Sequence, residues 1–354
     1  MKKNYCGLLV FVSLLIAFLF IGSATVTYGK EIVRNDYFIQ STDDPEIRIY
    51  VREKYNNTTD PKRAGKAVLF CHGATYPGDT FDCPVEGYSW MDYALNHGYV
   101  AYYLDIRGYG RSTRPAVMNE DANKNKPIVR FTAAMEDVDD VVDFIRKRTN
   151  VEKVSLVGWS WGTVISGGYA TEHGDKVDKL VLYAPVYSHE VPAWTKNLQD
   201  PNNPDQIKPD IGAYRLVSEE AAKSRWGKQI VPEDKTEWRE ERVFRAWIDE
   251  IMANDPDRDK HSPPKFRAPN GVLIDIFYIF TKRAVYDASK ITVPTLIIRG
   301  DDDPTATEPD AKGLMAEIKA PVKRYISIAN GTHFVGLEKN RLQLFREVQT
   351  FLDE

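Results

Sequence analysis

The sequence predicts an α/β fold, a mostly parallel, doubly wound sheet of about eight strands with a helical cap insert. Two patterns carry this prediction. Short apolar runs typical of buried strands alternate with longer segments whose apolar residues recur at helical spacing. The alternation stops near residue 186 and resumes near residue 291. The segment between these positions has no short apolar strand patterns. Such an alternation favours a parallel sheet covered by helices on both faces.

The elements before the insert follow from hydrophobic period and residue type. Residues 48–55 alternate between apolar and polar side chains, as an antiparallel strand at a sheet edge does. Residues 67–71 are continuously apolar, which indicates a strand buried on both faces. Val138, Val141, Val142 and Ile145 recur at helical spacing within the helix predicted over 131–148. The predicted strands are 37–40, 48–55, 67–71, 99–104, 153–157 and 179–183, and the predicted helices 88–97, 131–148 and 164–171.

The remaining elements divide the chain into a core and an insert. Helix-like segments over 218–227, 235–254 and 270–284 are separated by proline-rich turns. Strands over 295–299 and 322–328 then alternate with helices over 306–319 and 337–351. The expected domains are therefore a core of residues 30–185 and 291–354, interrupted by a helical cap over 186–290 of ordinary subdomain size.

The N-terminus has the pattern of a secretory signal peptide over residues 1–29. Two lysines precede an almost wholly apolar stretch, and small residues suitable for cleavage follow it. The alternative is an uncleaved membrane anchor over residues 6–26, which only just reaches the length of a membrane span. We expect an exported protein, periplasmic or extracellular, with membrane contact only through this segment if it is retained.

Composition narrows the classes of partner. The formal net charge of −4 gives no reason to expect a nucleic-acid partner. The histidines are scattered without metal-ligand spacing, so we expect neither a metal nor a cofactor. Cys71 and Cys83 follow the N-terminal segment, and they are either a disulfide permitted by an oxidising compartment or inert buried thiols. The oligomeric state stays open.

The residues with the clearest chemical meaning follow the strand predicted over 153–157. Gly158-Trp159-Ser160-Trp161-Gly162 is a G-x-S-x-G pentapeptide between that strand and a helix start. This context defines a nucleophile elbow, a sharp turn that exposes the serine hydroxyl above the sheet. Gly158 and Gly162 flank it because strand and helix approach there too closely for a side chain. Ser160 is therefore the candidate nucleophile.

A serine hydroxyl needs a base within hydrogen-bond reach, and the base needs an orienting carboxylate. His333 is the candidate base, because it lies in a loop between the last predicted strand and the last helix. The acid should lie at the carboxyl end of a strand between Ser160 and His333, and Gly300-Asp301-Asp302-Asp303-Pro304 directly follows the strand over 295–299. The order Ser, Asp, His and the position at carboxyl strand ends suit a catalytic site on an open α/β sheet.

With these motifs the chain resembles the capped serine hydrolases of the α/β-hydrolase superfamily, from about residue 47 to the C-terminus. The resemblance implies Asp303 as the acid, with Asp301 as the second candidate and Glu190 as a more distant one. It implies an oxyanion hole formed by the backbone N–H groups of Ala74 and Trp161. His72 and Gly73 would form the supporting turn before Ala74, with His72 structural rather than catalytic.

The predicted site suits a small-molecule ester or amide substrate, and three functions are considered. The first is hydrolysis of a carboxylic ester through an acyl-enzyme. The second is amide cleavage, as in proline iminopeptidases, although His72-Gly73-Ala74 departs from the HGGPG sequence usual in those members. Glu219, Glu220, Glu240 and Glu241 are candidate amine ligands for that activity, or simply solvated. The third is a non-catalytic binding protein on the same scaffold. A serine at position 160, where epoxide hydrolases of this fold carry aspartate, argues against that reaction.

Overall fold

The computed structural model describes residues 31–354, so the predicted signal peptide over 1–29 and the alternative anchor over 6–26 lie outside the described residues. The main sheet has eight strands in the order β1-β2-β4-β3-β5-β6-β11-β12. The pairings β1·β2 and β2·β4 are antiparallel and all others in this sheet are parallel. The predicted fold class, including the antiparallel edge pair, is confirmed. The strands of this sheet are β1 (Ile32–Gln40), β2 (Arg48–Asn56), β3 (Ala67–Cys71), β4 (Val100–Asp105), β5 (Val154–Trp159), β6 (Val177–Tyr183), β11 (Thr295–Gly300) and β12 (Lys323–Ile328).

Helices pack on the sheet and form part of the segment between β6 and β11. The amphipathic face predicted for α2 is buried, since Val138, Val141, Val142 and Ile145 are fully inaccessible. All five residues of β3 are buried as well, as its continuous apolar run predicts. In the described part of the chain the α-helices are α1 (Trp90–Leu95), α2 (Phe131–Thr149), α3 (Trp161–Glu172), α4 (Pro192–Thr195), α5 (Glu219–Gly227), α6 (Glu241–Ala253), α7 (Gly271–Ile279), α8 (Glu308–Glu317) and α9 (Arg341–Asp353).

The segment between β6 and β11 also contains strands, so the expectation of none there is wrong. β7 (Gln199–Asp200) pairs with β8 (Asn203–Ile207), and β9 (Tyr214–Ser218) pairs with β10 (Lys265–Pro269), both antiparallel. Their sequences carry prolines, acids and arginines instead of apolar runs. β7, β8 and β9 are half-buried or exposed, and β10 is buried but contains Arg267, which is paired with Asp255, so none of them has the apolar run of a buried parallel strand.

Cys71 and Cys83 are both buried free thiols, so the structure favours the inert-thiol interpretation over a disulfide. Burial raises the pKa of Cys71 to about 12 and that of Cys83 to about 11. Both therefore stay protonated and unreactive at neutral pH. Among residues 31–354 no helix is long and apolar enough to cross a membrane.

Helix α3 starts so close to the sheet that its second residue has no room for a side chain. A Cβ atom on Gly162 would lie 2.3 Å from the Cys71 carbonyl oxygen of β3. A Cβ atom on Gly158 would lie 2.4 Å from the Gly162 carbonyl oxygen. The obstacles are backbone atoms, which cannot move without shifting β3 or α3. This contact fixes the height of the α3 N-terminus above the sheet.

We predict that Gly162→Ala lowers the free energy of unfolding by about 3 kcal/mol, the upper range for overpacking a core. Gly313→Ala is the matched control, since it also changes a helical glycine but its new Cβ would meet nothing within 4 Å. That control should gain roughly 0.5–1 kcal/mol from the higher helix propensity of alanine. Urea unfolding of both variants measures the difference, and equal stability of the two would contradict the packing argument.

Candidate active site

Ser160 occupies the turn between β5 and α3 in a strained conformation, with φ 58° and ψ −120°. Its N–H donates to the Tyr183 carbonyl oxygen at 2.9 Å, and its carbonyl oxygen accepts the Thr163 N–H at 2.8 Å. The positive φ thus falls on the serine itself, and Gly158 and Gly162 serve close approach only. A positive φ costs a non-glycine residue free energy and persists where the surroundings impose it. Ser160 is 5% exposed.

A carboxylate–imidazole pair lies on the neighbouring loops. His333 Nδ1 is 2.7 Å from Asp303 Oδ2, and both side chains are buried. The other oxygen, Asp303 Oδ1, accepts the backbone N–H groups of Thr305 and Ala306 at 2.8 and 2.9 Å. These bonds hold the carboxylate plane toward the imidazole. The Nδ1 hydrogen bond leaves Nε2 as the ring nitrogen available for a substrate or nucleophile.

The other acids considered do not contact the imidazole. Asp301 is exposed and its Oδ1 accepts the Gly331 N–H at 3.3 Å. Glu190 is exposed and forms a salt bridge with Lys282 at 3.2 Å. Of the three candidate acids, Asp303 is the one beside His333.

Two side chains at the strand ends connect the His333 loop to the strands around Ser160. Trp159 Nε1 donates to the His333 carbonyl oxygen at 2.9 Å, and Tyr183 Oη donates to the same oxygen at 3.1 Å. Within residues 31–354 no hydrogen bond joins Ser160 Oγ to the imidazole. Such bonds are often long in a free enzyme and shorten when substrate binds.

The loop after β3 lies directly against the serine. A Cβ atom on Gly73 would lie 3.0 Å from Ser160 Cβ and 3.5 Å from Ser160 Oγ. The next N–H group, that of Ala74, finds no hydrogen-bond acceptor in the described part of the chain, and neither does the Trp161 N–H. These are the two donors that the sequence predicts for the oxyanion hole, and both remain available for a ligand oxygen.

The hydrogen bonds of His72 are those of a structural residue. Its Nε2 accepts the Ile106 N–H at 3.0 Å, so Nδ1 carries the proton and donates to the Gly73 carbonyl oxygen at 2.8 Å. Burial lowers the pKa of His72 to about 4. The neutral ring therefore holds the turn before Ala74, and both ring nitrogens are used.

The segment between β6 and β11 supplies contacts that the sequence did not indicate. Gln229 Oε1 accepts the His333 N–H at 3.1 Å. Trp226 Nε1 donates to Glu338 Oε1 at 2.9 Å, and Glu338 also accepts the N–H and hydroxyl of Thr332. Burial raises the pKa of Glu338. The loop that carries His333 is therefore held by side chains of the segment between β6 and β11 as well as by side chains of the sheet.

Comparison with known proteins supports a hydrolase of this fold. The family model for the α/β hydrolase fold matches residues 66–340, so the chain belongs to the α/β-hydrolase family. An epoxide hydrolase of Caballeronia sordidicola is 26% identical over 265 residues, 68% of this chain and 73% of that protein. A putative proline iminopeptidase of Mycoplasma genitalium is 28% identical over 126 residues, 36% of this chain and 35% of that protein.

Solved structures give the same fold at low sequence identity. An esterase from Exiguobacterium antarcticum has a TM-score of 0.60 and 19% identity, covering 90% of this chain and 99% of that one. An enol-lactonase from Burkholderia xenovorans has a TM-score of 0.60 and 15% identity, covering 90% and 100%. The family and these relatives together support a hydrolytic role.

We predict that His72 makes the protein less stable in mild acid. Its folded pKa of about 4 lies below the ordinary value of about 6.5, so between these pH values the unfolded chain binds a proton that the folded chain does not. The free energy of unfolding should fall by about 2–3 kcal/mol from this group between pH 7 and pH 4.5. Urea unfolding at both pH values measures it.

The matched variants are His72→Asn, which should lose that part of the pH dependence, and His261→Asn. His261→Asn makes the same substitution at a histidine that is only half-buried. A wild-type acid sensitivity retained in full by His72→Asn would contradict the assignment.

Proposed function

We propose that this protein is a serine hydrolase that cleaves a carboxylic ester, with Ser160 as nucleophile, His333 as base and Asp303 as orienting acid. The observation that carries the proposal is the 2.7 Å contact between His333 Nδ1 and Asp303 Oδ2 beside the strained Ser160 turn. A buried imidazole with one nitrogen fixed by a carboxylate is the arrangement that activates a serine hydroxyl.

The reaction would proceed in two halves. Ser160 Oγ attacks the ester carbonyl while His333 Nε2 takes its proton, and the N–H groups of Ala74 and Trp161 stabilise the oxyanion. The protonated imidazole then gives the proton to the departing alcohol, which leaves an acyl group on Ser160. Water, deprotonated by His333, attacks this acyl group, and its proton returns to Ser160 Oγ as the acid is released.

We further propose that residues 186–290 act as a cap over this site. The proposal is supported by the bond from Gln229 to the His333 N–H and by the low exposure of Ser160 and His333, 5% and 1%. Substrate access would then require part of this segment to move. Closure would exclude bulk water during acylation, and opening would admit the water that hydrolyses the acyl-enzyme.

Amide cleavage is the alternative on the same residues. Three of the four glutamates considered as amine ligands are engaged elsewhere: Glu219 pairs with Arg245, Glu240 with Arg242 and Glu241 with Lys223. The fourth, Glu220, is exposed. All three pairs are exposed or half-buried at the surface, which favours the alternative that these glutamates are solvated surface residues. Epoxide opening, the reaction in the name of one relative, is disfavoured by the serine at position 160. For these reasons the ester is preferred as substrate.

We also propose export, with cleavage after the apolar N-terminal stretch. The support is the signal pattern of residues 1–29. N-terminal sequencing of the protein recovered from its host would test it, and an intact Met1 would favour the anchor over residues 6–26.

We predict that a fluorophosphonate probe labels Ser160 and that Ser160→Ala abolishes both the label and turnover of p-nitrophenyl butyrate. The expected loss of kcat is at least about a thousandfold, because the acyl-enzyme cannot form. Ser166→Ala makes the same chemical change on α3 and should retain label and turnover. Full turnover by Ser160→Ala would exclude the proposed mechanism, and absence of any adduct would favour a non-catalytic binding protein.

We predict that Asp303→Asn lowers kcat on the same ester by about 10³- to 10⁴-fold, because an amide no longer holds the correct imidazole tautomer. Asp301→Asn, two residues earlier and exposed, should stay within about threefold of the parent. Steady-state kinetics of both variants test the assignment. A larger loss in Asp301→Asn would move the acid role to that residue.

A further inference from the structure

Two arginines from the segment between β6 and β11 converge on the loop that lies against Ser160. Arg215, on β9, donates from Nη2 to the Ala74 carbonyl oxygen at 2.5 Å and to Thr75 Oγ1 at 2.9 Å. Arg225, on α5, places Nη1 3.5 Å from the same Thr75 Oγ1. Two guanidinium groups therefore share one buried hydroxyl, immediately beyond the candidate oxyanion donor Ala74.

Neither guanidinium has a carboxylate partner. No Asp or Glu oxygen lies within 4.0 Å of Arg215 or Arg225 among the described residues, and residues 1–30 contain no Asp or Glu. Arg215 is satisfied by neutral acceptors, since its Nη1 also donates to the Pro269 carbonyl oxygen at 2.7 Å and to Asn270 Oδ1 at 3.1 Å. Burial, and to a smaller degree the Arg225 charge, lower the pKa of Arg215.

Arg225 is the less satisfied of the two. Its Nε is buried without a hydrogen-bond partner in the described part of the chain. Its Cζ lies 5.1 Å from the centre of the Trp194 ring, which holds the guanidinium from one side. Its hydrogen bond to Thr75 is at the limit of the accepted distance. Burying an unpaired guanidinium N–H next to a second positive charge costs free energy unless an anion accepts its hydrogen bond.

We propose that Arg225, supported by the charge of Arg215, binds a free carboxylate carried by the substrate, so that the preferred substrate is an ester that bears a second, anionic group. This inference rests on the proposed ester hydrolysis at Ser160. Gly73 lies against Ser160, and Arg225 contacts the side chain of Thr75, two residues further along the same loop, so Arg225 lies on the side of the candidate oxyanion donor Ala74. An arginine suits this role because its planar fork matches the two oxygens of a carboxylate.

The position explains the separate roles of the two arginines. Arg215 donates to the Ala74 carbonyl oxygen and the Thr75 hydroxyl on one side and to Pro269 and Asn270 on the other, so it positions the loop whose N–H would bind the oxyanion. Arg225 retains donors that no described residue satisfies, so it is the group that would contact the substrate. Arg215 is accordingly a positioning residue, and Arg225 is the residue to be varied in a test of specificity.

The test compares three esters with the purified protein. Monomethyl glutarate and 4-acetoxybutanoate are isomers that carry the free carboxylate on the acyl side and on the alcohol side, and dimethyl glutarate is the neutral reference. We expect kcat/KM for at least one of the isomers to exceed that for the diester. Arg225→Gln should reduce kcat/KM for that isomer by roughly 10- to 100-fold, the range of a charge-assisted hydrogen bond, and change the diester by less than about twofold. Arg225→Lys should restore part of the loss.

Lys223→Gln is the matched control, because Lys223 lies on the same helix but is exposed and paired with Glu241. It should leave all three rates unchanged. Preference for the neutral diester, or equal losses on all three esters in Arg225→Gln, would overturn the inference. A thermal melting curve for each variant excludes misfolding as the cause of an equal loss.

A binding measurement separates this inference from the proposed function. Calorimetric titration of Ser160→Ala with glutarate should show binding that Arg225→Gln, added to Ser160→Ala, weakens by at least about tenfold. If no ester is hydrolysed but this binding is present, ester hydrolysis fails and the anion site stands. If esters are hydrolysed but glutarate does not bind, the anion site fails and the hydrolase stands.

Discussion

Close backbone contact at the carboxyl edge of the sheet is the constraint on which the site depends. The Gly158 and Gly162 positions bring the start of α3 onto β3 and β5, with a hypothetical Cβ 2.4 Å and 2.3 Å from backbone oxygens. A third glycine, Gly300, brings the end of β11 close to the loop that carries His333, since a Cβ on Gly300 would lie 2.1 Å from the Gly331 carbonyl oxygen. Missing side chains therefore set two close approaches, that of the Ser160 turn to β3 and that of the Asp303 loop to the His333 loop.

The segment between β6 and β11 contacts both sides of the proposed reaction centre. Trp226 and Gln229 bond to the loop that carries His333, through Glu338 and through the His333 N–H, while Arg215 bonds to Ala74. Both sides of the proposed reaction centre, the base and the oxyanion donor, are thus held partly by one inserted segment. A movement that opens the site would loosen these bonds, and closure over a substrate would restore them. Specificity and catalytic geometry would then depend on the same contacts.

The features that could be predicted from the sequence are those that a local pattern of residues determines. The apolar run of β3, the helical spacing in α2 and the pentapeptide around Ser160 each follow from neighbours in the chain, and each lies where the pattern indicated. Three consecutive aspartates left the acid to be chosen by family resemblance, because only the path of the turn decides which one faces His333. β9 and β10 were missed because they carry no apolar run. Arg225 and Thr75 are 150 positions apart, and no sequence pattern connects them.

The two arginines also bear on the choice between ester and amide. A peptidase that removes an N-terminal residue must hold a free ammonium group close to the carbonyl attacked. Here the groups next to the Ala74 loop are Arg215 and Arg225, without a carboxylate within reach in residues 31–354. At a separation of about 6 Å and an effective dielectric constant of about 20, each like charge opposes an ammonium by about 3 kcal/mol. Three of the four glutamates that would offset this are paired at the surface, and the fourth, Glu220, is exposed. The same two positive charges that would disfavour an amine would attract a carboxylate, which is the group proposed above for the substrate.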